Sequence, residues 1–351
     1  MRVVIVGAGI MGCTAALELA SRGAEVVLLE RAVPGAEASS AAAGILGAQA
    51  EAHEPGPLFL RMLRARDGYA DAVERLCQVA ATTIGYQKSG VLKLTHDASE
   101  NDAFRSLVDW QRAAGAKAEL LAPSEIQNVE PHASPRATSA AYFEDDAQVE
   151  PTKLMEALAK RVRRVPTIRV RTGTSVAGLS FEADVCRGVL LGGDEVLRGD
   201  AVVLAAGSWS SLVPGVPEAA RAVKPFRGQM VELVELPPTL KTVLFGQGTY
   251  VVPRGDGRVV CGSTVEDVGF AKSVTAGGLH HVLSGAVQNA PEMANATFER
   301  AWSNFRPYSP GPPLVGKSEV AGLFLATGHF RNGILLAFDT AETVAAAIFA
   351  S

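Results

Sequence analysis

The apolar and polar positions of the first thirty residues specify three elements in succession. Arg2 to Val6 (RVVIV) is a short apolar run of β-formers, and Cys13 to Arg22 repeats Ala and Leu at helical spacing. Glu25 to Leu29 (EVVLL) then reads as a second strand, ending in Glu30. Between the first strand and the helix stands Gly7-Ala8-Gly9-Ile10-Met11-Gly12, of the form GxGxxG. In that setting Gly7 lets the chain turn, Gly9 lets a pyrophosphate approach the backbone, and Gly12 lets helix and strand pack closely. The amides of Ile10 and Met11 open the helix toward the phosphates. A carboxylate at Glu30 would accept hydrogen bonds from an adenosine ribose and repel a 2′-phosphate, which disfavours an NADP-type ligand. The pattern predicts a dinucleotide site.

Further along, the periodicity predicts one long helix over Pro57 to Ala80, strands at Ser89 to Leu94 and Ala137 to Phe143, and helices at Ser99 to Ala113 and Pro123 to Asn128. A helix over Pro151 to Arg164 precedes short strands near Ile168 to Val170, Ser175 to Phe181, Gly188 to Leu191 and Glu195 to Leu197. Asp200 to Leu204 is a fully apolar strand running into Ala205-Ala206-Gly207-Ser208-Trp209-Ser210, an exit that suits a backbone lying against a ligand. From Val223 the texture is β-rich, with strands at Gly228 to Val234, Tyr250 to Pro253, Arg258 to Cys261 and Thr297 to Phe305, and a helix at Gly277 to Gln288. Leu323 to Ala326, the loop Thr327 to Gly333 and the apolar run Ile334 to Ala350 repeat strand, loop and helix, offering a second helix start to the ligand. The small residues Ala38 to Leu46 fit either a helix start or a segment wrapped around something bulky and polar.

These elements predict an α/β fold: a Rossmann-like domain of residues 1–85, 145–220 and 300–351, and an antiparallel-sheet α+β substrate domain of 86–144 and 221–299. A length of 351 residues agrees with two domains, and 48% hydrophobic residues suffice for a sizeable core. A net charge of −4, with Arg161 to Arg164 the one basic cluster, gives no footprint for nucleic acid. Cys13, Cys77, Cys186 and Cys261 are too scattered for a zinc site or disulfide framework, and no apolar stretch reaches the roughly 20 residues of a membrane helix. The expectation is a soluble cytoplasmic protein without metal or membrane partner.

Several blocks together resemble the flavoenzymes of the D-amino-acid-oxidase family, and among them the glycine oxidases of the thiamine pathway. They are GAGIMG with Glu30, ASSAAAGIL, AAAGILGAQAE (Ala41 to Glu51), AAGSW, YVVPRGDGRVVCGST and GHFRNGILLA. The resemblance implies FAD, bound non-covalently, because Arg306 to Gly311 lacks the tethering cysteine of the related sarcosine oxidases. It implies that the backbone of Val176 meets the adenine, with Glu30 and Arg31 at the adenosine end. Ser39, Ser40, Ala43 and Gly44 would lie along the pyrophosphate and ring, with Ala206, Gly207 and Trp209 beside the cofactor. Arg331, Asn332, Gly333, Ile334 and Leu335 would reach the isoalloxazine. Independently, a helix beginning at Gly333 places positive dipole where reduced flavin gathers negative charge.

The reaction so implied transfers hydride from the Cα of a small amino acid to flavin, followed by reoxidation with O2 to hydrogen peroxide. No side-chain base is required if the amine is neutral, and catalysis is mostly orientation. Only Arg offers a bidentate fork for the substrate carboxylate. By itself Arg306 reads as a structural arginine; the resemblance assigns it the carboxylate. Tyr250 and Arg331 align beside it, while His329 reads as structural. Ile45 and Val265 align where close relatives place Met, and Gly248 where one has His, which leaves glycine, sarcosine and small D-amino acids as substrates. Phe338 departs from the family's Ala-Pro and bears on subunit packing; the family implies a homo-oligomer, a tetramer. Two other readings stand: a dehydrogenase of the same fold passing electrons to a quinone or protein, and an NAD-binding dehydrogenase or inert nucleotide module sharing only the first thirty residues.

Overall fold

The computed structural model describes residues 1–351, the side chains of Ala80 and Asp194 excepted. Strand β1 (Arg2–Val6) lies inside a six-stranded sheet. The order is Leu314–Lys317, Leu323–Thr327, Ala201–Leu204, β1, β2 (Glu25–Leu29), Ile168–Arg171. Every pairing is parallel except that of the edge strand Leu314–Lys317. Such a sheet is covered on both faces, which is why Val3, Val4, Ile5 and Val6 are all buried and the strand reads as an unbroken apolar run. Strand order reverses at β1, the place where open α/β sheets receive ligands beyond their carboxyl ends.

Helix α1 (Ile10–Ser21) follows β1 and packs against the C-terminal helix Ala337–Phe349, with Thr14 Oγ1 donating to the Ala337 carbonyl at 3.1 Å. The first and last helices are thus neighbours, and both begin on the same side of the sheet.

The second sheet has eight strands in the order Thr297–Tyr308, Lys224–Val234, Arg258–Gly262, Thr249–Pro253, Val243–Gly246, Val91–Thr95, Ser139–Phe143, Glu119–Leu121. It is antiparallel apart from the pairing of Val243–Gly246 with Val91–Thr95. One face packs on helix Ala276–Asn289 through Val282 and Ala286; the other packs on Ala43 to Ala50 and on helix Asn101–Ala113 through Val108. Three strands within Val176–Arg198 form a separate small antiparallel sheet.

Three expectations change. The long helix over 57 to 80 is two, Pro57–Asp67 and Tyr69–Ala80, because the backbone bends at Gly68 (ψ −4°). Glycine costs a helix interior about 1 kcal/mol, and the bend lets Arg66 turn into the core. Strands Glu119–Leu121, Val243–Gly246 and Leu314–Lys317 are too short to show an alternation, and only their partners make them strands. The C-terminal helix starts at Ala337, not Gly333. Gly333 lies in a turn closed by the Leu336 N–H on the Asn332 carbonyl at 2.9 Å, so the dipole at this end is that of one turn followed by a helix.

Candidate active site

Between the two sheets runs a single cavity of about 440 Å3, extending from Glu30 and Val176 at one end to Tyr250, Arg306 and Arg331 at the other. Backbone builds the first end. The Gly7 N–H donates to the Leu29 carbonyl at 2.8 Å, locking the turn onto β2. A Cβ at Gly12 would stand 1.8 Å from the Gly7 carbonyl oxygen, so only glycine lets α1 sit this close to β1. The Ile10 N–H donates to Ser39 Oγ at 2.9 Å, drawing the small-residue segment over the helix start. Glu30 accepts from the Ala8 N–H at 3.0 Å and the Ala32 N–H at 2.8 Å, which fixes its carboxylate at the strand tip. The Arg31 guanidinium lies over the Trp209 ring, 4.0 Å from its centre.

Side chains build the other end. Arg306, near the end of strand Thr297–Tyr308, donates to the Thr264 carbonyl at 3.1 Å and to Ser263 Oγ. Among the described residues no carboxylate pairs with it. Burial, with the neighbouring Arg331 charge adding to it, depresses its pKa below the ordinary arginine value against the opposing pull of Tyr250 and Glu51. On the adjacent strand a Cβ at Gly228 would stand 2.2 Å from Arg306 Nη1, so the guanidinium occupies a slot that glycine alone leaves open. Tyr250 is buried, its hydroxyl donating to Met230 Sδ at 3.1 Å.

Arg331 differs from Arg306 in being fully matched. Its Nε and Nη2 donate to the two oxygens of Glu51 at 2.5 and 2.7 Å. Burial would raise the Glu51 carboxyl, but Arg331 outweighs it and holds the group below the usual range; in return Glu51 lifts the guanidinium. A buried network pins the backbone just before Glu51. The Asp146 carboxylate accepts from the Gln49 N–H at 3.1 Å, the Ala50 N–H at 2.9 Å and Arg66 Nη1 at 3.2 Å. His329 is buried with Nε2 on Thr340 Oγ1 at 2.9 Å, and burial pushes its pKa down to about 3, so it is a neutral packing group.

Of the residues singled out from the sequence, Gly7, Gly9, Ile10, Met11, Glu30, Arg31, Ser39 and Val176 line the nucleotide half of the cavity. Ala43, Gly44, Ile45, Ala206, Gly207 and Trp209 line it further along, with Tyr250, Arg306, Arg331, Gly333 and Ile334. Five do not. Gly12 lies behind the turn it makes room for; Ser40, Asn332 and Leu335 are not part of the lining; Val265 is half exposed outside the wall. Gly248 also stands off the wall, where an added Cβ would first meet His281, at 3.9 Å.

Met230 and Gly228 carried no signal that singled them out, and Glu51 and Arg254 stood inside blocks of the resemblance without a role assigned to them. Arg254 sits in what reads as an ordinary hairpin turn, yet its buried guanidinium holds the carbonyls of Ala43, at 2.5 Å, and Val149, at 3.0 Å. It thereby fixes the small-residue wall.

Residues 2–347 match the family model of FAD dependent oxidoreductases. A glycine oxidase of Geobacillus kaustophilus (strain HTA426) is 33% identical over 348 residues, covering 98% of this chain and 91% of that protein. The crystal structure of glycine oxidase from Geobacillus kaustophilus superposes with a TM-score of 0.92 at 31% identity, over 100% of this chain and 95% of that one. The chain belongs to the FAD-dependent oxidoreductases. The bifunctional protein ThiO/ThiG of Nostoc sp. (strain PCC 7120 / SAG 25.82 / UTEX 2576) is 33% identical over 351 residues, 98% of this chain; the chain spans about half of that relative, 52%. An iminodiacetate oxidase from Chelativorans sp. BNC1 superposes with a TM-score of 0.88 at 26% identity, over 100% and 96% of the two chains.

The cavity fits FAD on its own terms. An anion-binding helix start opens on it beside Gly9, where a Cβ would come within 3.1 Å of Ser39 Oγ. The Glu30 carboxylate is placed for ribose hydroxyls, and Ala42, Ala43 and Gly44 leave a small-residue wall further in. Glu30, Val176 and the Gly7 turn would hold the adenosine diphosphate, and Gly44, Ile45 and the loop at Arg331 the ring.

Proposed function

We propose that this protein oxidises small amino acids, glycine foremost, with O2 as acceptor, giving the imine or oxo acid, ammonia and hydrogen peroxide. One observation carries the reading: a recessed arginine without a carboxylate partner, Arg306, at the end of a cavity that fits a flavin. Bound FAD supplies the acceptor for the hydride leaving Cα and returns the electrons to O2. The chain's residues supply position. The fork of Arg306 takes the carboxylate, supported from behind by Ser263 and Thr264. Ile45, Met230 and Tyr250 wall the space around Cα and favour small side chains. Glu51 is held by Arg331, and His329, whose Nδ1 has no partner among the described residues, is pushed by burial down to a pKa of about 3, too weak a base to take the ammonium proton, so the amine reacts as the neutral form delivered from solvent. No cysteine is among the residues lining the cavity, which supports non-covalent binding of FAD. A cytoplasmic homo-oligomer, a tetramer by resemblance, serving thiazole formation in thiamine synthesis belongs to the same reading; sedimentation and thiamine-free growth of a deletion strain check it.

The test is a panel of glycine, sarcosine, D-alanine and D-proline, followed by peroxide release in air. Peroxide with glycine supports the oxidase; dye reduction without peroxide means the dehydrogenase. Arg306→Ala should raise KM for glycine by the equivalent of ~2–4 kcal/mol at unchanged melting temperature. Unaltered kinetics would remove Arg306 from the site.

A further inference from the structure

Two arginines reach the amino-acid end of the cavity, and their charges are handled oppositely. Arg306 rests on neutral groups, Ser263 and Thr264 with Tyr250 beside them, whereas Arg331 spends its fork on both oxygens of Glu51. Glu51 itself lines the cavity, so its negative charge stands where a longer substrate would extend. Lys93, held on the Ala50 carbonyl at 3.2 Å behind the wall, adds its charge to that of Arg331 in keeping the Glu51 carboxyl ionised. Among the side chains of the wall itself, two guanidinium charges less one carboxylate leave a single net positive charge. We propose that Glu51 is a specificity-determining residue: by occupying Arg331 it restricts the site to amino acids with one carboxylate and rejects amines carrying two. The proposal rests on the amino-acid reading above.

A second carboxylate would have to displace Glu51 from a bidentate pair and then face it, unpaired, in a recessed site. Removing the charge of Glu51 frees a fork of the right geometry to grip that second carboxylate. Nothing in the backbone need move.

The experiment uses the FAD-loaded enzyme with two unreactive ligands, glycolate with one carboxylate and oxydiacetate with two, binding followed by flavin absorbance and by thermal shift. Both lack the amine, so a contact of Glu51 with the substrate nitrogen does not enter. The wild type should bind glycolate in preference. Glu51→Gln should tighten oxydiacetate about tenfold or more relative to glycolate. The double variant Glu51→Gln/Arg331→Gln, again with one net positive charge, should restore the wild-type preference. Arg331→Gln alone leaves Glu51 without its bidentate partner and should weaken glycolate about tenfold, which tests the idea even if Glu51→Gln fails to fold. An unchanged ratio in Glu51→Gln, or unweakened glycolate in Arg331→Gln, overturns the role of Glu51 alone. Failure of the wild type to bind either ligand overturns the amino-acid reading and this proposal with it.

Discussion

The two ends of the cavity are made of different material. At the nucleotide end the chain offers its backbone: a glycine turn, the amides of a helix start and one carboxylate on a strand tip, all within Val6 to Ala32. At the amino-acid end it offers side chains from widely separated elements, among them Arg306, Arg331, Glu51 and Tyr250. A backbone site is specified by neighbours in sequence and tolerates almost no added atom. A side-chain site is specified by how distant strands register, and it can be retuned one residue at a time.

That contrast breaks most sharply at Gly12. A methyl group there has no room, so Gly12→Ala should separate α1 from β1, cost several kcal/mol and yield colourless or insoluble protein. Retained flavin with an unaltered melting curve would show that the turn tolerates more than the close contact allows. The matching change at the other end is Gly228→Ala, whose Cβ would meet the guanidinium of Arg306, a flexible side chain that can shift. It should leave the flavin in place and raise KM for glycine by roughly 1–3 kcal/mol through misplacing the fork. Loss of flavin in this variant would mean that the two ends are not independent.

The smallest effect at neutral pH belongs to His329, which ties the C-terminal loop to Thr340. In the unfolded chain the imidazole takes up a proton near pH 6.5, but in the folded protein only near pH 3. Between those values the unfolded state binds more protons. Stability present above pH 6.5 is therefore lost as the pH falls, by about 1.4 kcal/mol per unit. His329→Asn should flatten that acid limb in pH-dependent melts, with little change at pH 7.5. An identical limb would place the titration elsewhere.

Legibility in the sequence followed the same division. The GxGxxG turn, its flanking strands and Glu30 were readable because each element sets its neighbour's position within a few residues. The periodicity of Pro151 to Arg164 likewise gave the helix with its bounds intact. Val265 and Gly248, placed near the substrate by alignment alone, stand off the cavity wall. Met230, from another strand, is what lines that wall. Glu51 lay inside a recognised block without any sign that its partner is Arg331, 280 residues away in sequence. Arg254 looked like turn punctuation.

By itself, then, the sequence determined the alternation of strands and helices, the nucleotide turn and the family to which the blocks belong. These depend on side-chain periodicity and backbone sterics, which act over a few residues. Tertiary structure decided which arginine is matched and which is left open, where the C-terminal helix begins, and which side chains wall the amino-acid end. Charge pairing and wall packing depend on distances between segments far apart in the chain, and only folding sets those distances.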